Sequence, residues 1–136
     1  MANYIFGDVD EIVCQHTLGE FRFAPKSNES ATVDFGGVRV NDDANQVTAN
    51  GQNMKQQNRA KWSVEVPVAV DMVSENNTLE DIAKLAAHPD DGTWTFSFLN
   101  GAVFRGKGCP VGDIQGDSNA GTVTLKTAGG GKLEKL

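Results

Sequence analysis

The sequence predicts a mainly β fold, an antiparallel β-sandwich or barrel with one short α-helix at about 78–88 and one long polar loop at about 41–61. Three observations predict it. Trp62, Val64, Val66, Val68 and Val70 recur at period two, the pattern of a half-buried strand. Asn100-Gly101 separates two runs rich in aromatic and β-branched residues, a strong short-range hairpin signal. Fifteen Gly and seven Phe, with many Val and Thr, lean the same way. At 136 residues the chain fits a single domain, 1–136, large enough to bury roughly two thirds of its unfolded surface without a staple.

Taken in order, Val9 to Cys14 and Gly19 to Ala24 read as a hairpin around Gln15-His16-Thr17-Leu18. Phe21 and Phe23 share one face of its second strand, Glu20 and Arg22 the other. Pro25 ends it. Ala31 to Val40 is a third strand-like stretch, broken at Gly36-Gly37 by a bulge or tight turn. Asn41 to Lys61 has only Val47 and Met54 as large apolar residues, so it builds no core and reads as a protruding loop or extended hairpin held from outside the subunit.

Trp62 to Met72 is the clearest strand, and Pro67, which lacks an N–H, predicts that it lies at an edge or carries a bulge. The helix is signalled by Thr78 as N-cap, Glu80 and Asp81 in the first turn, and Pro89 as terminator. Leu79, Ile82, Ala83, Leu85 and Ala86 supply its apolar stripe, for a sheet edge or a barrel mouth.

Two registers are open for the hairpin at Asn100-Gly101. A two-residue turn sets Phe96 beside Arg105; a three-residue loop through Ala102 sets Phe98 opposite Phe104. Val111 to Gln115 and Gly121 to Thr127 read as a final strand pair. Beyond the flexible Gly129-Gly130-Gly131, Leu133 and Leu136 are candidates to dock only on a partner.

Charge bounds the function. Twelve Lys and Arg against eighteen Asp and Glu give a net charge of -6, which opposes phosphate-gripping nucleic-acid binding but not a passage that DNA merely traverses. The opening residues lack a basic and an apolar region of signal-peptide type, and no apolar run has bilayer-spanning length, so synthesis in a cytoplasm and no membrane partner are expected.

Chemistry is harder to find. Cys14 and Cys109 are read as buried free thiols, with a disulfide, within or between chains, as the alternative. His16 and His88 lie beside turns with no metal-ligand spacing to those cysteines. Asp42-Asp43 and Asp90-Asp91 read as solvated turn residues, outside the alternating pattern that wraps calcium. Trp62, Trp94, Phe96, Phe98 and Phe104 form a possible stacking platform, but alternating strands normally turn such faces into the core. No enzyme, metal or cofactor is expected.

The order of features nevertheless resembles a known family. An N-terminal strand pair, a long polar insertion, a strand from Trp62, a helix from Thr78 to His88 and closing hairpins resemble the tail-tube proteins of contractile-tailed bacteriophages, and more loosely the inner tubes of related injection machines. The stretch from Val111-Gly-Asp-Ile-Gln to Gly-Thr-Val-Thr-Leu-Lys-Thr127 is similar to that family's terminal hairpin.

The resemblance implies hexameric rings stacked into a hollow tube in the virion tail, assembled in the host bacterial cytoplasm. It implies tail sheath, tape-measure, baseplate and tail-terminator proteins as partners, with DNA passing without specific binding. No catalytic residue carries over. Within the polar segment, Asp42, Asp43, Asn50, Met54, Lys55, Gln56, Arg59 and Lys61 are the candidate contacts between copies. The alternatives are another ring-forming virion or secretion-machine component (a non-contractile tail tube, a tube terminator, a secreted ring protein) or a small-ligand-binding β-barrel.

Overall fold

A computed structural model of the chain describes residues 4–40, 46–73 and 77–136. It is mainly β, with one helix and one large antiparallel sheet. Strands β1 (Val9–His16) and β2 (Gly19–Phe23) form the first hairpin, closing His16 against Gly19 across Thr17-Leu18. The turn is thus shorter than the four residues expected. Gly36, which breaks the next stretch into β3 (Thr32–Asp34) and β4 (Gly37–Val40), has φ 71°, and a Cβ there would meet the Trp62 backbone nitrogen at 2.5 Å.

The polar segment contains β5 (Gln46–Val47), β6 (Asn53–Met54) and β7 (Gln57–Ala60). Then come β8 (Trp62–Ala69), helix α1 (Thr78–Ala87), β9 (Gly92–Phe98), β10 (Val103–Pro110), β11 (Gly116–Asp117), β12 (Thr122–Gly129) and β13 (Glu134–Lys135). The main sheet runs β2-β1-β9-β10-β12-β8-β3, with β11 on β12 and β13 on β10. Strand β10 is the corner. Residues 103–108 pair with β9, and Cys109 and Pro110 pair with β12.

Pro67 does not mark an outer edge. β12 flanks β8 on one side along its whole length, and β3 and the Ala24–Lys26 segment cover the other. The Pro67 carbonyl accepts from the Lys26 N–H, and the Ala69 N–H donates to the Ala24 carbonyl, around a single bridge Pro25↔Val68. The donor that Pro67 lacks falls on this sparse seam, where few ladder bonds are forfeited. Through this bridge the chain leaving β2 draws the two ends of the open sheet together.

The core lies between the sheet halves. Trp62, Val64, Val66 and Val68 of β8, with Val123 and Leu125 beside them on β12, pack with Ile12 and Cys14 of β1 and Trp94 and Phe96 of β9. Trp62 meets Phe96 edge to face at 6.1 Å, and Trp94 stacks on Phe96 at 6.5 Å. Both buried indoles keep a partner, Trp62 Nε1 donating to the Lys107 carbonyl and Trp94 Nε1 to that of Gly108. Each fully buried aliphatic or Phe side chain contributes roughly 1.5–3 kcal/mol. These aromatics are therefore core, and Phe104 is half-buried beside them.

Several expectations are corrected. The hairpin after β9 uses neither proposed register. Val103 pairs with Ser97 and Phe104 with Phe96 around the loop Leu99-Asn100-Gly101. Only Gly101 has positive φ, so the loop is a three-residue turn ending in a left-handed glycine. This register puts Gly106 opposite Trp94, and the Cβ it lacks would meet the Trp62 ring at 2.7 Å. Phe98 and Phe104 still touch as diagonal neighbours at 5.8 Å.

The helix is capped by Asn77, whose side chain accepts from the N–H groups of Leu79 and Glu80. The Thr78 hydroxyl accepts from Asp71 N–H instead. Of the predicted stripe, Ile82 and Leu85 are buried and Leu79 half-buried, while Ala83 and Ala86 are exposed. Val111 to Gln115 is not a strand, because β10 continues to Pro110 and supplies β12's partner there; only Gly116 and Asp117 resume pairing. Leu133 is fully buried in the chain's own core, with its N–H donated to the Phe35 carbonyl; Leu136 remains exposed.

Candidate assembly surfaces

The polar segment folds as a ribbon apart from the main sheet. β4 pairs with β7, setting Val38 across from Arg59 and Val40 across from Gln57. β5 and β6 pair separately at the tip, with Gln46 opposite Met54 and Val47 opposite Asn53. Opposed residues share a face, so Val47 and Met54 project to opposite faces of the tip. They are 69% and 53% exposed. The Thr48 N–H donates to the Gln52 carbonyl at 2.8 Å and its hydroxyl to Asn50 Oδ1, which fixes the turn.

At the base, Arg39 clasps Asp34 through both terminal nitrogens, and Asp34 also accepts from the Gly36 N–H. The Arg39 hydrogen bond and the Gly36 N–H hold the Asp34 carboxyl below its ordinary range. The carboxylate in turn raises the Arg39 guanidinium.

Of the predicted contacts, Asn50, Met54, Lys55, Gln56, Arg59 and Lys61 are all exposed on this ribbon or its connections. Lys55, Arg59 and Lys61 form no ion pair among the described residues. Asp42 and Asp43 lie outside the described residues. The ribbon is thus the extended hairpin that its composition implied.

Two apolar surfaces were not anticipated. Tyr4, Ile5, Phe6 and Leu99 stand exposed around Asn100, beside an aromatic cluster of buried Phe98, half-buried Phe104 and exposed Phe35. A groove of about 490 Å³ is lined by Val70, Met72, Val73 and Leu79 with Gly116 to Ser118 and Gly121. Each collects residues from separate elements; Val70 and Met72 continue the alternation from Trp62, but nothing local joins them to Leu79 or Gly116.

The structure also joins residues that the sequence keeps apart. His16 and His88 meet edge to face, with ring centroids 4.6 Å apart. His16 Nε2 lies 2.9 Å from the Asp90 carbonyl, and the Asp90 N–H donates to His88 Nδ1. Cys14 and Cys109 are free thiols. Burial pushes the Cys14 thiol up to about 12, and burial with nearby Asp91 raises that of Cys109. Burial likewise raises the carboxyl of Asp81 on α1. Among the described residues, no group of three or more His, Cys, Asp or Glu is arranged to hold a metal ion, and no helix is long and apolar enough to cross a membrane.

Fold and surfaces together define a mainly β domain with a projecting polar ribbon and exposed apolar ends. No protein-family model matches the chain, and no curated protein matches it in sequence.

Proposed function

We propose that the chain is a structural subunit that assembles with copies of itself into hexameric rings, stacked as the inner tube of a contractile phage tail and forming the conduit for DNA ejection. The ribbon from Gly37 to Ala60 carries this reading. Among the described residues it joins no ladder of the main sheet, and a two-stranded ribbon is marginal alone in water. A surface that gains its stability on a neighbouring copy accounts for both facts.

Further support comes from the sheet ends. β2 and β3 terminate the strand order and offer backbone groups on which another strand can pair. The net charge of -6 suits a passage that must not hold DNA. In this role the subunit meets sheath, tape-measure, baseplate and terminator proteins in the virion. The alternative of a ligand-binding barrel has less to rest on, because Trp62, Trp94 and Phe96 fill the space between the sheet halves.

Electron microscopy of the concentrated purified protein tests the reading. Sixfold rings or hollow tubes are the expected result, and a monomer at every concentration refutes it. Deleting Gln46 to Gln57 is expected to leave a folded subunit that no longer stacks. Loss of the fold itself would place that segment in the core.

A further inference from the structure

We infer that the cavity bounded by Arg105, Lys107 and Lys132 binds a phosphate group, as the free ion or as a small phosphate ester. The site goes beyond self-assembly and does not depend on it.

The fold brings three cations to one side of one strand. Along β10, Gly106 and Gly108 are buried, so Arg105 and Lys107 alternate with them onto the outer face and are exposed. Thr93 lies opposite Lys107, and Glu134 opposite Arg105, on that same face. Lys132 and Glu134 flank buried Leu133 and are themselves exposed. Between them and β12 the chain crosses through Gly130-Gly131. The space between this crossing and β10 is a cavity of about 370 Å³.

Its walls are fixed by the packing of the chain itself. Gly36 runs so close to the crossing that a Cβ on it would lie 2.7 Å from the Gly131 carbonyl, and Gly131 takes φ 77°. The Lys132 stem lies along Gly37, its Cβ and Cδ each 3.6 Å from where a Cβ would stand. A Cβ at Gly130 or Gly131 would meet nothing within 4 Å. The backbone of the crossing is therefore open to a ligand held by the three cations.

Charge selects the ligand. The chain carries eighteen acids against twelve Lys and Arg, yet here the balance inverts: among the described residues, three cations and one acid, Glu134, line the cavity. None of these four forms an ion pair among the described residues, whereas Arg22, Lys26 and Arg39 each hold a carboxylate. Asp91, two residues before Thr93, acts on Cys109 and lies outside the lining. The local surplus of two positive charges matches the charge of about −1.5 to −2 on a phosphate monoester at neutral pH. The guanidinium fork of Arg105 and two ammonium groups can serve three oxygens at once, which a tetrahedral oxyanion offers and a single carboxylate does not. A nucleic-acid backbone needs a longer run of phosphate contacts than one cavity supplies.

Phosphorus NMR of inorganic phosphate, titrated with the full chain at low ionic strength and neutral pH, tests the site in whatever assembly the protein adopts. The phosphate line is expected to broaden and the effect to saturate. In the double variant Arg105→Gln, Lys107→Gln the affinity should fall about tenfold or more, and in Glu134→Gln, which removes the opposing charge, it should rise. Lys132→Gln, also expected to weaken binding, replaces the double variant if thermal unfolding shows that the latter does not fold. Sulfate, a tetrahedral dianion, should displace phosphate better than malonate, a dicarboxylate of the same charge. Glycerol phosphate in place of the free ion distinguishes the sources: tighter binding assigns an ester, weaker binding the free ion. No broadening with the wild type, unchanged affinity in the folded cation variants, no gain in Glu134→Gln, or better displacement by malonate than by sulfate would each overturn the inference.

Discussion

The imidazoles of His16 and His88 are locked as a pair by one backbone segment, the carbonyl and N–H of Asp90 each serving one ring. His16 Nδ1 accepts from the Leu18 N–H, which leaves the proton on Nε2 to donate to the Asp90 carbonyl. His88 Nδ1 accepts from the Asp90 N–H, which assigns its proton to Nε2 as well. The pair ties the β1–β2 turn to the exit of the helix.

Neutral His16 and His88 should therefore both be Nε2–H tautomers. Long-range proton–nitrogen correlation spectra check this directly, and an Nδ1–H tautomer on either ring contradicts the arrangement. Replacing His16 by Ala removes the ring's hydrogen bonds to Asp90, Leu18 and Thr17 and should cost about 1–2 kcal/mol in urea unfolding.

Stability should also fall on the alkaline side through Cys14. Its thiol ionises at about 12 in the folded chain against 9.0 as the reference value. Below pH 9 both states keep the proton and the contribution is complete. As pH rises from 9 towards 12, the unfolded chain loses its proton while the folded chain retains it, so unfolding becomes progressively easier. Urea midpoints followed across that window should drop less steeply for Cys14→Ala than for the wild type. For the same reason, native Cys14 should resist thiol reagents that label it at once in urea.

Gly106→Ala should destabilise the core. The added methyl would lie 2.6 Å from Leu133 Cδ2 and 2.7 Å from the Trp62 ring, and both neighbours are fully packed. An overpacking cost of about 1–3 kcal/mol is expected, read as a lower urea midpoint.

Asn77→Ala should cost about 1 kcal/mol, because it strips the acceptor from two helix N–H groups. A smaller loss for Asn77→Ala than for Thr78→Ala, compared by thermal unfolding, would return the cap to Thr78.

What could be read from the sequence follows from where the information lies. The alternation from Trp62 to Val68 and the Ile82–Leu85 spacing are local consequences of burial, so β8 and α1 are legible. The register around Leu99-Asn100-Gly101 is not legible locally, because it depends on Trp62 from another strand, whose ring leaves room only for glycine at 106. Leu133 looked like a loose tail residue because its pocket is built by Phe35, Gly106 and Trp62, all distant in sequence. Asn77 was missed in favour of the neighbouring Thr78, since both residue types cap helices and the choice turned on Asp71. The ribbon's independence was visible in its polarity. The two apolar surfaces were not, for each collects residues from separate elements at one end of the fold.

The bridge at Pro25 and Val68 has a mechanical consequence. Two backbone hydrogen bonds cross that seam, where the neighbouring β8–β12 ladder registers eight residue pairs. Pro67, which has no N–H to offer Lys26 in return, keeps the seam from gaining a further bond there. Peeling the Ala24–Lys26 strip from β8 breaks two backbone hydrogen bonds and leaves the β8–β12 ladder intact. The domain has there a built-in place to yield without opening its core.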